Sequence, residues 1–153
     1  MVLSNLITDL KYEGNIMTTI IQLPKADYIV IDPCYVMRSD AYDQLCEKMD
    51  FDANAQLIEI DGHQMALSGT AYGDGSYQST SNTVFPVDAG IIGAVPLALC
   101  DLNKLDEQWV IYAGVRFNDT EISFEYDNGT FKFNDLQIFT NYEEEEDDLE
   151  DEY

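Results

Sequence analysis

Residues 122–133 constrain the fold more than any other part of the chain. Two segments rich in aromatic and β-branched residues, 122–126 and 130–133, flank the dipeptide Asn128-Gly129. Asn-Gly is the preferred sequence of a two-residue type I′ turn, which joins antiparallel strands. Counting outward from the turn predicts the cross-strand pairs Tyr126 with Phe131, Glu125 with Lys132, and Phe124 with Phe133. Aromatic side chains would then meet on one face and opposite charges on the other, as cross-strand pairing favours.

Several other segments have the composition of strands bounded by turns. Residues 18–22 and 27–32 are predicted to be two strands joined at Pro24-Lys25, because proline cannot donate to a β-ladder. A second hairpin is predicted at Asp61-Gly62, and the long apolar segment 109–117 is predicted to be a well-buried strand. The remaining predicted strands are 56–60, 64–68, 83–87, 91–99 and 136–140.

One helix is predicted, from Ser39 or Asp40 to about residue 49. Apolar residues recur in it at spacings of three and four, as they do on one face of an amphipathic helix: Tyr42, Leu45, Cys46 and Met49. Residues 101–108 are polar and are predicted to form one helical turn. The chain lacks the alternation of strands and helices that indicates a parallel sheet. The predicted fold is therefore mainly β (α+β), an antiparallel sheet or a small sandwich or barrel with one short covering helix.

Charge divides the chain into a body and a tail. The net charge is −23, and nine carboxylates lie in the last eleven residues with no base among them. These nine are Glu143, Glu144, Glu145, Glu146, Asp147, Asp148, Glu150, Asp151 and Glu152. Neighbouring like charges with almost nothing apolar to bury predict a disordered tail at residues 143–153. We expect residues 1–16 to be an N-terminal extension and residues 17–142 to be a single β-rich domain.

The body is acidic without the tail, which limits the kinds of partner that it can bind. Residues 1–142 hold 21 acids against seven bases, a net charge of −14. The bases are scattered singly, whereas binding to phosphates needs clustered Lys and Arg. We therefore expect no direct nucleic-acid binding and a basic partner.

The three cysteines, Cys34, Cys46 and Cys100, are too few and too irregularly spaced for a disulfide framework or a zinc motif.

No signal peptide or membrane-spanning segment is expected, so the predicted location is cytoplasmic, in the host cell if the chain is phage-encoded. Neither a cofactor nor a metal is expected. Asp74 lacks the regular acidic neighbours of a calcium loop, and the glycine-rich segment beside it lacks a Walker lysine for phosphate.

Three short motifs occur between residues 27 and 96. They are D-P-C-Y at residues 32–35, T-A-Y-G-D-G at 70–75 and V-D-A-G-I-I-G at 87–93. As a set, they resemble a group of small, uncharacterised phage and bacterial proteins. The resemblance implies a phage context and no catalytic roles, and it does not include the acidic tail.

The same motifs also suggest an alternative site. Cys34 could act as a nucleophile with His63 as base and Asp74 or Asp88 as the group that orients it, in a small-molecule-binding or hydrolytic domain. Packing of Cys34 and turn formation by the two aspartates explain these residues better, because their spacing matches no known cysteine hydrolase. Tyr35 and Tyr72 complete this alternative pocket.

The charge pattern predicts a different function, that of a non-enzymatic interaction protein. Carboxylates spread over a β scaffold and along a tail can imitate the charge of a nucleic acid and so occupy a basic groove. We therefore expect a phage-type protein that inhibits or modulates a nucleic-acid-handling host or defence protein. A virion or assembly component is a further alternative, and the oligomeric state is left open.

Overall fold

The computed structural model of the protein describes residues 7–13, 16–51, 53–81 and 84–141, with side chains from Ile20 onward. The strands are β1 (Ile7–Glu13), β2 (Ile16–Ile31), β3 (Gln56–Ile60), β4 (His63–Gly69), β5 (Gly75–Ser79), β6 (Phe85–Val87), β7 (Ile91–Pro96), β8 (Val115–Asp127), β9 (Thr130–Phe133) and β10 (Leu136–Phe139). The helices are α1 (Ser39–Lys48), α2 (Leu102–Leu105) and α3 (Gln108–Ala113), with single 3₁₀ turns at Pro33–Tyr35 and Leu97–Leu99.

The strands form one curled sheet, a half-barrel in which every pairing is antiparallel. Its order is β3-β4-β7-β2-β8-β9-β10-β5-β6, and β1 pairs with the first part of β2. The predicted mainly β, antiparallel fold with a short covering helix is confirmed. Strand β1 lies within the predicted N-terminal extension, whereas the predicted tail lies outside the described residues. No helix in the described ranges is long and apolar enough to cross a bilayer.

The centre of the sheet is buried on both faces. In β2, Ile29 and Ile31 pack in one core, whereas Tyr28 and Val30 pack in the other. This division follows from the two-residue period of a strand, whose successive side chains point to opposite faces. The first core also contains Leu45 of α1 and residues of α2 and α3, so the helices cover that face. The second core contains the aromatic residues of β8 and β9.

Both predicted hairpins are present, with the predicted turns. Tyr126 pairs with Phe131, Glu125 with Lys132 and Phe124 with Phe133, which confirms the predicted register. Asn128 and Gly129 have φ values of 49° and 90°, as a type I′ turn requires at both central positions. At the second hairpin, Ile60 pairs with His63 across Asp61-Gly62.

The prediction of two strands joined at Pro24 is wrong, because β2 runs unbroken through it. The pairing of β2 with β8 shifts register between Leu23 and Ala26, and again between Ala26 and Tyr28. On the other edge of β2, pairing with β1 stops at Ile21 and pairing with β7 starts at Tyr28. Pro24 therefore lies at an irregularity where its missing N–H breaks no ladder.

The predicted strand at 109–117 is also wrong in its first half, which forms α3. Val110 and Ala113, three residues apart, are buried, while the side chains between and beside them are exposed. That spacing is helical, and a short apolar segment is consistent with either a helix or a strand. Strand β8 begins only at Val115, after Gly114.

Gly93 is expected to tolerate no side chain. It lies in β7 opposite Leu67 of β4, and a Cβ atom there would lie 2.8 Å from Leu67 Cβ and 2.9 Å from the Ala66 carbonyl oxygen. We expect Gly93→Ala to lower the free energy of unfolding by about 1–3 kcal/mol, measured by urea denaturation. Gly69→Ala on β4 is the control, because its Cβ would approach no atom closer than 3.6 Å. Equal losses in the two variants would contradict this steric account.

Candidate functional site

Asp32 organises the end of the sheet where β2 leaves it. The residue is fully buried, and its carboxylate accepts three backbone hydrogen bonds. Oδ1 accepts from the N–H of Cys34 at 3.0 Å, while Oδ2 accepts from the N–H groups of Asp88 and Ala89, each at 2.8 Å. The carboxylate therefore joins the D-P-C-Y turn to the loop between β6 and β7. Asp32 is not among the predicted site residues, although Asp directly before Pro is a common start of a helical turn.

The glycine-rich loop between β4 and β5 lies against the loop between β6 and β7, which Asp32 joins to the D-P-C-Y turn. The N–H of Thr70 donates to the Gly90 carbonyl at 3.0 Å, and a Cβ on Gly90 would lie 3.6 Å from Gly73 Cα. The loop is fixed internally, because Thr70 Oγ1 and Tyr77 Oη both donate to the Gly73 carbonyl, at 2.6 and 2.9 Å. The three sequence motifs thus meet at one end of the sheet, in what we call the Asp32 cluster: residues 32–35, 70–75 and 88–90.

The residues of the alternative pocket are only partly brought together. Cys34 and Tyr35 are half-buried in the Asp32 cluster, and Tyr72, Asp74 and Asp88 are exposed on its loops. His63 begins β4, whereas the cluster adjoins the other end of that strand at Gly69. Six residues of strand span roughly 20 Å. His63 instead lies in a groove of about 410 Å³ lined by Pro24, Lys25, Ala26, Tyr28, Gly62, His63, Gln64 and Pro96.

The Cys34 thiol is held in its protonated form. Burial, then the nearby carboxylates of Asp32 and Asp88, raise its pKa to about 12. A cysteine nucleophile needs a thiolate, and lysine, arginine or a protonated histidine usually supplies the necessary positive field. The surroundings of Cys34 have the opposite charge. Burial likewise raises the pKa of the Tyr35 hydroxyl to about 12.

Alkylation of Cys34 is expected to be slow in the folded protein and to accelerate with pH. Only the thiolate reacts, and a raised pKa makes the thiolate scarce at pH 8. We expect iodoacetamide to modify Cys34 at least about tenfold more slowly than in the urea-unfolded chain, measured by peptide mass spectrometry. Cys46, half-buried on α1, is the internal reference. Fast labelling of Cys34 at pH 7 would contradict the protonated state.

The surface is anionic because few carboxylates are neutralised. Asp32 is the one buried carboxylate among the described side chains. The ion pairs in the same ranges include Lys25 with Asp119 at 3.9 Å, Arg38 with Asp40 at 3.3 Å and Arg38 with Asp61 at 3.5 Å. Exposed pairs of this kind are weak and screened by salt. Most of the negative charge therefore faces solvent.

Several bases bind main-chain carbonyls. Lys48 Nζ donates to the Glu59 carbonyl at 2.6 Å, and Lys104 Nζ donates to the Met37 carbonyl at 3.0 Å. Arg38 Nη1 donates to the Ala98 carbonyl at 2.6 Å. These contacts connect helices and turns to neighbouring segments, so the cations act as structural donors. Arg38 also pairs with Asp40 and Asp61, so it is both a structural donor and a counter-ion.

The described residues contain no group of three or more His, Cys, Asp or Glu side chains arranged to hold a metal ion. The hydrogen bonds of Asp32 and Thr70 make the Asp32 cluster a braced set of loops at one end of an acidic β scaffold. Comparison with protein-family models, with curated proteins and with solved structures finds no match for the chain.

Proposed function

We propose that the protein binds a basic, nucleic-acid-handling protein by imitating the charge of a nucleic acid, and so inhibits or modulates it. The observation that carries this proposal is the uncompensated surface charge. Carboxylates lie on the exposed sides of α1, of the loops and of β8, and residues 1–142 hold 21 acids against seven bases. With the phage context implied by the motifs, the partner would be a host or defence protein.

Rigid carboxylates differ from a flexible acidic chain in one useful respect. A folded body holds its backbone in place, so its charges can match the phosphate positions along a groove with little further loss of backbone entropy on binding. The tail adds nine further charges, which raise the rate of encounter with a positive surface. The body would then supply geometry, and the tail would supply long-range attraction.

The Asp32 cluster supports a hydrolytic function less well. It lacks a nearby histidine, since His63 lies at the far end of β4, and the Cys34 thiol is protonated at neutral pH. The hydrogen bonds to Asp32 join loops to one another and leave both carboxylate oxygens engaged. This pattern favours a bracing role for the cluster.

Affinity capture from bacterial extract tests the proposal. The full chain, a chain ending at Tyr142 and poly-glutamate are immobilised, and bound proteins are compared at low and high salt. We expect the full chain to retain nucleic-acid-binding proteins that poly-glutamate does not retain, and to release them at high salt. Capture that is unchanged by salt, or identical to that of poly-glutamate, would contradict charge mimicry by a folded surface.

A further inference from the structure

An apolar patch lies on the outer side of α2 and α3. It consists of four exposed side chains, which we call the α2–α3 patch: Leu102, Trp109, Ile111 and Tyr112. Leu102 and Tyr112 are each 71% exposed, and Ile111 is 54% exposed. Single exposed apolar residues are common, but four such residues within eleven positions, with Trp109 and Tyr112 three apart on one helix, favour an interaction surface.

The patch stands on a rigid base. Val110 and Ala113 of α3 and Leu105 of α2 are buried in the core beneath it. The Trp109 ring packs edge-on against Tyr35 of the Asp32 cluster, with ring centroids 4.7 Å apart, and its Nε1 donates to Glu107 Oε1 at 2.8 Å. Fixed aromatic side chains lose little entropy on binding, which is why Trp and Tyr dominate the energetics of interfaces.

A small cavity adjoins the patch. It has a volume of about 100 Å³ and is lined by Ile29, Leu105, Val110, Ile111, Gly114 and Arg116. An apolar cavity of about 150 Å³ accepts benzene. The present cavity therefore fits the end of an aliphatic side chain and is too small for a cofactor.

The charges around the patch select among the molecules that could cover it. Asp106 and Glu107, both exposed, separate the two helices, whereas Arg116 lines the cavity and Lys104 of α2 donates to the Met37 carbonyl. A second copy of the chain would bring two such acidic rims together, each on a molecule of charge −23. The acidic tail would meet the same repulsion and offers little apolar surface beyond Leu149 and Tyr153. A basic protein with an exposed aliphatic side chain matches both the rim and the cavity.

We propose that the α2–α3 patch is the apolar anchor of the interface with the basic partner. This inference rests on the proposed function, and it assigns the short-range binding energy to named residues. Charge then brings the partner to the surface, and Ile111, which lines the cavity, holds an aliphatic side chain of the partner together with its neighbour Tyr112. Trp109, three residues before Tyr112, flanks this contact.

Two synthetic peptides test the proposal. Both lack Trp and carry the same number of lysines; one is an amphipathic Leu–Lys helix, and the other has Ser in place of Leu. Trp109 is the one tryptophan of the chain, so its fluorescence reports on the patch alone. We expect the Leu–Lys peptide to shift Trp109 emission to the blue and to bind at least about tenfold more tightly than the Ser–Lys peptide.

Variants separate the patch from the general charge. Ile111→Ser with Tyr112→Ser should remove the tenfold preference, and Leu102→Ser should weaken it. Phe51→Ser, at an equally exposed aromatic residue in the loop after α1, should leave it unchanged. Circular dichroism checks that each variant is folded.

Each outcome decides a different point. Equal affinities for the two peptides without an emission shift would overturn the anchor and leave charge mimicry standing. If the affinity for the Leu–Lys peptide is the same at low and high salt, the result supports the anchor and contradicts charge mimicry. A dimer of the free chain with shielded Trp109, seen by sedimentation, would overturn the choice of a basic partner.

Discussion

Asp32→Ala is expected to lower the free energy of unfolding by about 3 kcal/mol or more, because it leaves three N–H donors without their acceptor, each worth about 1–3 kcal/mol. The donors belong to Cys34, Asp88 and Ala89, so the loss affects two loops together. A domain of this size is stable by about 5–15 kcal/mol, which makes this a large fraction. Urea denaturation measures the loss, and amide exchange at Asp88 and Ala89 should accelerate more than exchange in β2.

Two other variants control this experiment. Asp88→Ala removes an exposed carboxylate from the same loop and should change stability by less than about 0.5 kcal/mol. Asp32→Asn keeps the shape but turns one acceptor into a donor that faces other donors, so an intermediate loss is expected. If Asp32→Ala were as stable as Asp88→Ala, Asp32 would not brace the cluster.

Removal of residues 143–153 is expected to weaken binding to a purified basic partner by about tenfold or more at low salt. The deletion removes nine carboxylates and leaves a net charge of −14. The dependence of affinity on salt should become shallower, since fewer counterions are exchanged on binding. Titration calorimetry over a series of salt concentrations measures both quantities.

A full-length variant with Gln and Asn in place of the nine acids separates charge from chain length. It should bind as weakly as the shortened chain. Affinity equal to that of the original protein would show that the tail does not act through its carboxylates. Some salt dependence should persist in both variants, because the acids of the folded body are still present.

Local signals predicted the hairpins well. The turn at Asn128-Gly129 fixes its register through neighbouring residues alone, because both positions must adopt positive φ and few residue types do so readily. Helix α1 likewise follows from an apolar face that repeats every three or four residues. Both elements were predictable because sequence neighbours determine them.

Contacts between residues distant in sequence determine the parts of the structure that were predicted wrongly or not predicted. Pro24 is typical of a strand break, yet β2 continues through it. At Pro24, β2 has no partner strand on one edge, and its pairing with β8 on the other edge is irregular. The segment at 109–113 is apolar throughout, so its composition fits a strand or a helix. It forms a helix because Val110 and Ala113, three residues apart, pack against the core. The Asp32 cluster joins residues more than fifty positions apart in sequence. Three motifs suggested a site there, but nothing local indicated that its centre is a carboxylate bound to backbone N–H groups.

Competition with DNA tests the central claim most directly. A nucleic-acid-binding protein captured by the full chain is purified and bound to fluorescent duplex DNA. The acidic protein described here is then added to this complex in increasing amounts. Charge mimicry predicts that fluorescence anisotropy falls to the value of free DNA as the protein occupies the basic groove, with weaker displacement by the chain ending at Tyr142. A stable complex that contains the partner, the DNA and this protein together would contradict the proposal.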